Sequence, residues 1–210
     1  MAKSIYSVHP SVAMVQNVIA GMKTKTGRSM EEWVKFIKRE GPKTVEARRE
    51  WLKKEHKLGT NYAWWLADWS VGKQTEDGDP DAYLAAAAKY VESMYAGKKA
   101  ALRPLHDALI KAGKSLGKDV KVCPCQTIVP LYREHVFAEI KPSTNTRIDL
   151  GFALAKFVTQ KRGKVPARLV DTGGMAKKNR ITHRIPINAA ADIDDEVVHW
   201  LGVAYQLDAP

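Results

Sequence analysis

Cysteine is almost missing from this chain. Two residues in 210, Cys123 and Cys125, cannot build a disulfide framework and lead us to expect a reducing cytoplasm, bacterial or other. Long apolar runs are missing as well. Nothing approaches the roughly 18 apolar residues that a membrane span needs, and the opening Met1-Ala2-Lys3-Ser4-Ile5-Tyr6 lacks the apolar stretch of a secretory leader. Acidic side chains are few beside basic ones, 23 against 34, which leaves a net charge of +11. No HExxH pair, GxSxG elbow or GxxxxGK[ST] loop is present, so zincin, α/β-hydrolase and P-loop chemistry have no support. No motif calls for a cofactor, and binding is a better expectation than catalysis. What is there, 45% hydrophobic and 27% charged residues, is ordinary for a folded chain of one or two domains.

The charge is unevenly spread. Residues 1–60 carry +7, 61–79 carry −3, 80–120 carry +3, 121–187 carry +9 and 188–210 carry −5. The acidic stretch coincides with Val71-Gly72-Lys73-Gln74-Thr75-Glu76-Asp77-Gly78-Asp79-Pro80, which has two glycines, a proline and no apolar period. It reads as a joint between a Trp-rich helical domain over 1–72 and a second domain over 80–210. Two basic regions divided by an acidic joint bear on partners rather than on fold.

Residues 11–70 read as four short helices. The first ends at Gly27. Ser29-Met30-Glu31-Glu32 is a capping box for the second, which Gly41-Pro42 stops. Thr44 caps a third, with Gly59 expected as its C′ residue, and Thr60 or Asn61 starts the fourth. Five of the six tryptophans lie here: Trp33, Trp51, Trp64, Trp65 and Trp69. A small unit needs such side chains for its core. Trp64 lies about 100° from Trp65 around the helix, so one of the group is left for a partner or for base stacking. The third helix carries Arg48, Arg49, Lys53, Lys54 and Lys57, a phosphate-contacting face. The fourth lacks the Arg, Asn and Gln of a recognition helix, which argues against sequence-specific DNA reading. Thr26-Gly27-Arg28-Ser29-Met30-Glu31-Glu32-Trp33, Trp51-Leu52-Lys53-Lys54-Glu55-His56-Lys57-Leu58-Gly59 and Tyr62-Ala63 together resemble the helical domain-of-unknown-function family numbered 4287, over roughly residues 14–70. That resemblance implies architecture and no activity.

From Pro80 the pattern changes. Asp81 is expected to cap a helix through Met94, and another runs from about Lys98 to Leu116. Alternation then marks strands over 127–132, 135–141, 146–154 and 180–187, with 120–125 as a fifth candidate. Asp192 or Asp194 caps a last helix. The order predicts an α+β fold: a small all-helical bundle followed by an α+β sandwich whose mainly antiparallel sheet is flanked by helices. Val136-Phe137-Ala138-Glu139-Ile140-Lys141-Pro142, Arg147-Ile148-Asp149-Leu150-Gly151, Thr182-His183-Arg184-Ile185-Pro186-Ile187 and Asp192-Ile193-Asp194-Asp195-Glu196 resemble the family numbered 5655 and, more distantly, the YdhG-like, frataxin-fold proteins. The frataxin-like resemblance implies iron handling. The +9 of residues 121–187 argues against it, because hard cations want clustered carboxylates.

Several residues are candidates for chemistry. Cys123 and Cys125 share a strand face and offer a redox or metal site, or simply two small apolar side chains. His183 alternates in phase with Ile181, Ile185 and Ile187, as a hydrogen-bonded core histidine would. In Asp171-Thr172-Gly173-Gly174-Met175-Ala176-Lys177-Lys178-Asn179-Arg180, Gly173 and Gly174 permit a backbone nest beside Lys177, Lys178 and Arg180. On the open sheet face, Glu139, Lys141, Arg147, Asp149 and Arg184 pair across strands, or form with Arg133 a cradle for phosphate or carboxylate groups. The leading expectation is a cytosolic binding or adaptor protein that contacts nucleic acid or another polyanion without strong sequence preference. The alternative is a small anionic ligand held or processed by Tyr132, Arg147 and Asp149, and a third is iron or redox handling at Cys123 and Cys125.

Overall fold

Helix placement follows the capping chemistry. In the computed structural model, which describes residues 4–73, 76–160 and 162–210, α1 (Pro10–Thr26) opens on a proline and ends at Gly27 with φ 79°. Gln74 and Thr75 of the joint lie outside the described residues. α2 (Met30–Glu40) has the expected capping box: Glu32 N donates to Ser29 Oγ at 3.2 Å and Ser29 N to Glu32 Oε2 at 2.7 Å. Replacing Ser29 by Ala is expected to cost the helical unit about 1 kcal/mol. The check is a lowered urea midpoint at unchanged slope; an unmoved midpoint would show the box idle.

α3 (Val45–Lys54) is capped by Thr44, and α4 (Thr60–Ser70) follows. The expectation for Gly59 fails. Gly59 is the N-cap of α4, and the left-handed turn after α3 falls on Lys57, φ 54°. Leu58 N donates to Leu52 O at 3.2 Å, a closure that lays Leu58 beside buried Leu52. Core contact thus outweighs the small cost of a left-handed lysine. Trp33, Ile37, Leu52, Leu66 and Trp69 form the core of this unit, with Trp51 and Trp65 packed against it. Trp33 Nε1 donates to Thr26 Oγ1 at 2.7 Å. Trp64 is 49% exposed, as its offset from Trp65 requires.

In the second half, α5 (Pro80–Met94) is capped by Asp79 rather than by Asp81. Asp79 Oδ1 accepts from Asp81 N at 2.9 Å and Ala82 N at 3.1 Å, and Pro80 takes the first helical position, which needs no amide. The helix expected from Lys98 instead opens as a 3-10 turn, Gly97–Leu102, and restarts as α6 (Arg103–Lys114) at Pro104. The strands are β1 (Lys121–Val122), β2 (Val129–Tyr132), β3 (Val136–Pro142), β4 (Ile148–Phe152), β5 (Val170–Asp171) and β6 (His183–Ile187). They form one antiparallel sheet in the order β1-β2-β3-β4-β6-β5. α7 (Ala155–Thr159) and β5 are too short for a period to announce them. α8 (Asp195–Leu207) is capped by Asp194.

The fold is α+β, with helices over one sheet face. Leu131, Ile140, Leu150 and Ile185 bury that face with Val91, Leu109 and Leu201. Phe137 is an extra residue between the pairs Leu131↔Ala138 and Tyr132↔Val136, a bulge that leaves it buried against Tyr205. The chain divides into two units: His9–Tyr83, and Leu84–Pro210 with the described residues before His9. Ser7 N donates to Val122 O at 2.8 Å along the β1 edge. Among the described residues, no helix is long and apolar enough to cross a membrane.

Candidate anion-binding site

Most of the expected cationic contacts are spent inside the protein. On α3, Arg48 donates to Pro42 O and Ser70 Oγ, both at 2.7 Å. Arg49 grips the Asp68 carboxylate at 2.9 and 3.1 Å and lies 4.0 Å over the Trp64 ring, so one face of the exposed tryptophan is already stacked. Lys53 pairs with Glu50 at 2.6 Å. Lys54 and Lys57 are exposed and make no ion pair among the described residues.

On the open sheet face, Asp149 is 15% exposed in its side chain and clamped between two guanidinium groups, Arg147 at 3.0 Å and Arg184 at 2.8 Å. The Arg184 contact crosses from β6 to β4, as alternation allowed, whereas Arg147 reaches Asp149 from two residues away along the same chain. Arg133 does not join it. Its guanidinium pairs with Asp119 at 2.8 Å, donates to Tyr205 O and stacks 4.1 Å over the Tyr205 ring, on the side of the sheet that α8 covers. The acidic stretch after residue 187 takes up further arginines: Arg168 pairs with Asp194 and Glu196, and Arg180 with Asp208.

The glycine loop is closed on itself. Gly173 (φ 70°) donates its amide to Asp171 Oδ1 at 2.7 Å, and Gly174 N donates to Thr172 Oγ1 at 3.2 Å. The amides of the expected nest are therefore taken. A Cβ at Gly174 would run into the Ile181 carbonyl oxygen, so close packing of the loop on the β6 approach demands glycine there. Lys177 is exposed, whereas Lys178 and Arg180 line a hollow with Lys156 and Asp208.

Burial pushes the Cys123 thiol up to about 12, and burial with the nearby Glu139 charge raises Cys125. Thiols held protonated are poor nucleophiles and poor metal ligands. Among the described residues no group of three His, Cys, Asp or Glu side chains is placed to hold a metal ion. Burial, with the two cysteines beside it, pushes Tyr132 up to about 12. His183 is a buried histidine whose Nδ1 lies 3.0 Å from Thr182 Oγ1, and burial lowers its pKa.

A further group of lysines collects where no motif announces it. A cleft of about 590 Å³ is lined by Lys98, Lys99 and Lys141, with Gln126, Thr127 and Asn145 among its polar walls and no carboxylate among the described residues of its lining. The turn after α5 supplies Lys98 and Lys99, and the end of β3 supplies Lys141. Lys99 Nζ is steadied by the Pro142 carbonyl at 2.7 Å, which uses one of its three protons. Of the three, sequence reasoning points to Lys141 alone. The available signal is Gly97-Lys98-Lys99: the glycine takes φ 58° and opens the 3-10 turn that carries the lysine pair.

This cleft and the sheet beneath it lie within residues 91–208, which match the model of a family described as a domain of unknown function, DUF5655. The chain belongs to the DUF5655 family. Residues 14–70 match a second such model, DUF4287, and cover α2, α3, α4 and most of α1. No curated protein and no solved structure matches the chain. All three cleft lysines belong to the DUF5655 match, as do Asp149 and its two arginines.

Proposed function

We propose that this DUF5655 protein is a binding protein that contacts nucleic acid through its phosphate backbone, without strong sequence preference. The observation that carries the reading is the cleft of Lys98, Lys99 and Lys141, with no carboxylate among the described residues that line it. Lysine ammonium groups are mobile point charges suited to phosphates, whereas base reading favours the fixed forks of arginine. The arginines of the sheet face are held by carboxylates instead. Exposed Lys54, Lys57 and Lys177 add to the positive field of a chain with net charge +11.

Three phosphate contacts imply a slope of log K against log salt of about −2.7, or an affinity loss of about 40-fold between 50 and 200 mM salt. Fluorescence anisotropy with labelled single- and double-stranded oligonucleotides of scrambled sequence measures that slope directly. Absence of binding at 50 mM salt would overturn the reading. A second reading rests on Gln126, Thr127 and Asn145, whose neutral donors and acceptors can orient a small anionic ligand in the same cleft. Such a ligand would raise the melting temperature saturably, and the effect would survive added salt.

A further inference from the structure

A smaller hollow, of about 230 Å³, lies elsewhere in the same domain. Its rim carries three cations from two segments: Lys156 on α7, and Lys178 and Arg180 from the end of the glycine loop. Ala153, Ala155 and Ala204 are among its walls, and their methyl groups leave the space open. Asp208 lines it too and is 4% exposed.

Two of the three cations are held in place by groups that are themselves part of the fold. Asp208 accepts from His135 N at 2.7 Å, lies 3.2 Å from His135 Nδ1, and pairs with Arg180. Arg180 Nε also donates to Val136 O at 2.6 Å, so its guanidinium is pinned on two sides. Lys156 Nζ donates to Leu207 O at 3.0 Å and keeps two protons for another acceptor. Lys178 makes no ion pair among the described residues. One carboxylate against three cations leaves two positive charges in excess at the mouth.

We infer that this hollow is a binding site for a terminal phosphate group, that of a phosphate monoester or of inorganic phosphate. The charge and the size choose this class. A monoester carries close to two negative charges at neutral pH and has one substituent, which can leave through the mouth. A phosphodiester carries one charge and two substituents and would have to thread a hollow of this size. Arg180 and Lys156, already anchored, meet such an anion with little ordering cost. The site stands apart from the lysine cleft and does not depend on nucleic-acid binding there.

Calorimetric titration of the full chain with inorganic phosphate, glycerol 2-phosphate and dimethyl phosphate tests it. Inorganic phosphate is expected to bind, dimethyl phosphate is not, and Lys156→Ala with Lys178→Ala should weaken binding at least tenfold. Both lysines are exposed, so the variant should fold; if its melting curve shows otherwise, Lys178→Gln alone gives the reading. Binding of glycerol 2-phosphate as well as inorganic phosphate would mark the site as one for terminal phosphates, and inorganic phosphate alone would mark it as one for the free ion. Lys98→Ala with Lys99→Ala and Lys141→Ala should leave the phosphate affinity unchanged. No heat with millimolar inorganic phosphate, or an affinity that follows the cleft lysines instead, would overturn the inference.

Discussion

Acidification from pH 7 to pH 4 is expected to remove about 3 kcal/mol of stability from the C-terminal unit through one residue, His106. His106 is fully buried on α6, its ring 4.6 Å from that of Tyr95, and neither ring nitrogen has a hydrogen-bond partner among the described residues. Burial lowers its pKa to about 4 from the ordinary 6.5, with the Asp107 carboxylate opposing that fall and Arg103 adding to it. Between those two values the unfolded chain takes up a proton that the folded one refuses. Stability therefore falls as the pH drops through that window, and the loss is complete below about 4. His106→Leu removes the proton site and two unpaired polar atoms from an apolar core. At pH 5 the variant should be more stable than the parent by about 2 kcal/mol, measured by urea unfolding at pH 7 and pH 5. An unchanged pH dependence in the variant would place the acid sensitivity elsewhere, in carboxylates such as Asp192 and Asp194 that their hydrogen bonds hold below the usual range.

Loss of the Asp208 carboxylate should cost about 2 kcal/mol, the range for losing charge-assisted hydrogen bonds, because Asp208 is buried while its partner Arg180 is half-exposed. Asp208→Ala strands the His135 amide and releases Arg180, which closes the β3 approach against the end of α8. Asp208→Asn keeps one acceptor oxygen and should lose less. Equal losses for the two substitutions would mean that the charge itself does the stabilising, and no loss would mean that water replaces the carboxylate.

The parts of the fold that local chemistry fixes are legible in the sequence. Ser29 and Glu32 announce α2, Thr44 announces α3, and Asp194 announces α8, because each cap needs only its own amide neighbours. Alternation locates β2, β3, β4 and β6, because burying one face forces a period of two. Gly59 misleads because its role depends on where Leu58 meets Leu52, a core contact rather than a local one. Apolar spacing puts Lys98 and Lys99 on a helix, which Gly97 and Pro104 replace with a tight turn.

The candidate site is less legible for a different reason. Whether a cation is free depends on which carboxylate reaches it through space. Arg184 meets Asp149 only because β6 pairs with β4 in one register, whereas Arg147 reaches it from two residues away along the same chain. The Asp171-Thr172-Gly173-Gly174 run carries its own answer, since Asp and Thr side chains bond to amides two residues on and so consume the nest. Asp208 and His135 carry no signal, because 73 residues separate them.

The measurement that tests the central claim most directly is the salt dependence of oligonucleotide affinity for the parent chain and for Lys98→Ala with Lys99→Ala and Lys141→Ala. If these lysines cover phosphates, the variant binds more weakly and its log–log slope flattens by about 2.7, about 0.9 for each phosphate left uncovered. Parallel slopes with equal affinities would contradict the account and move the polyanion contact away from the cleft.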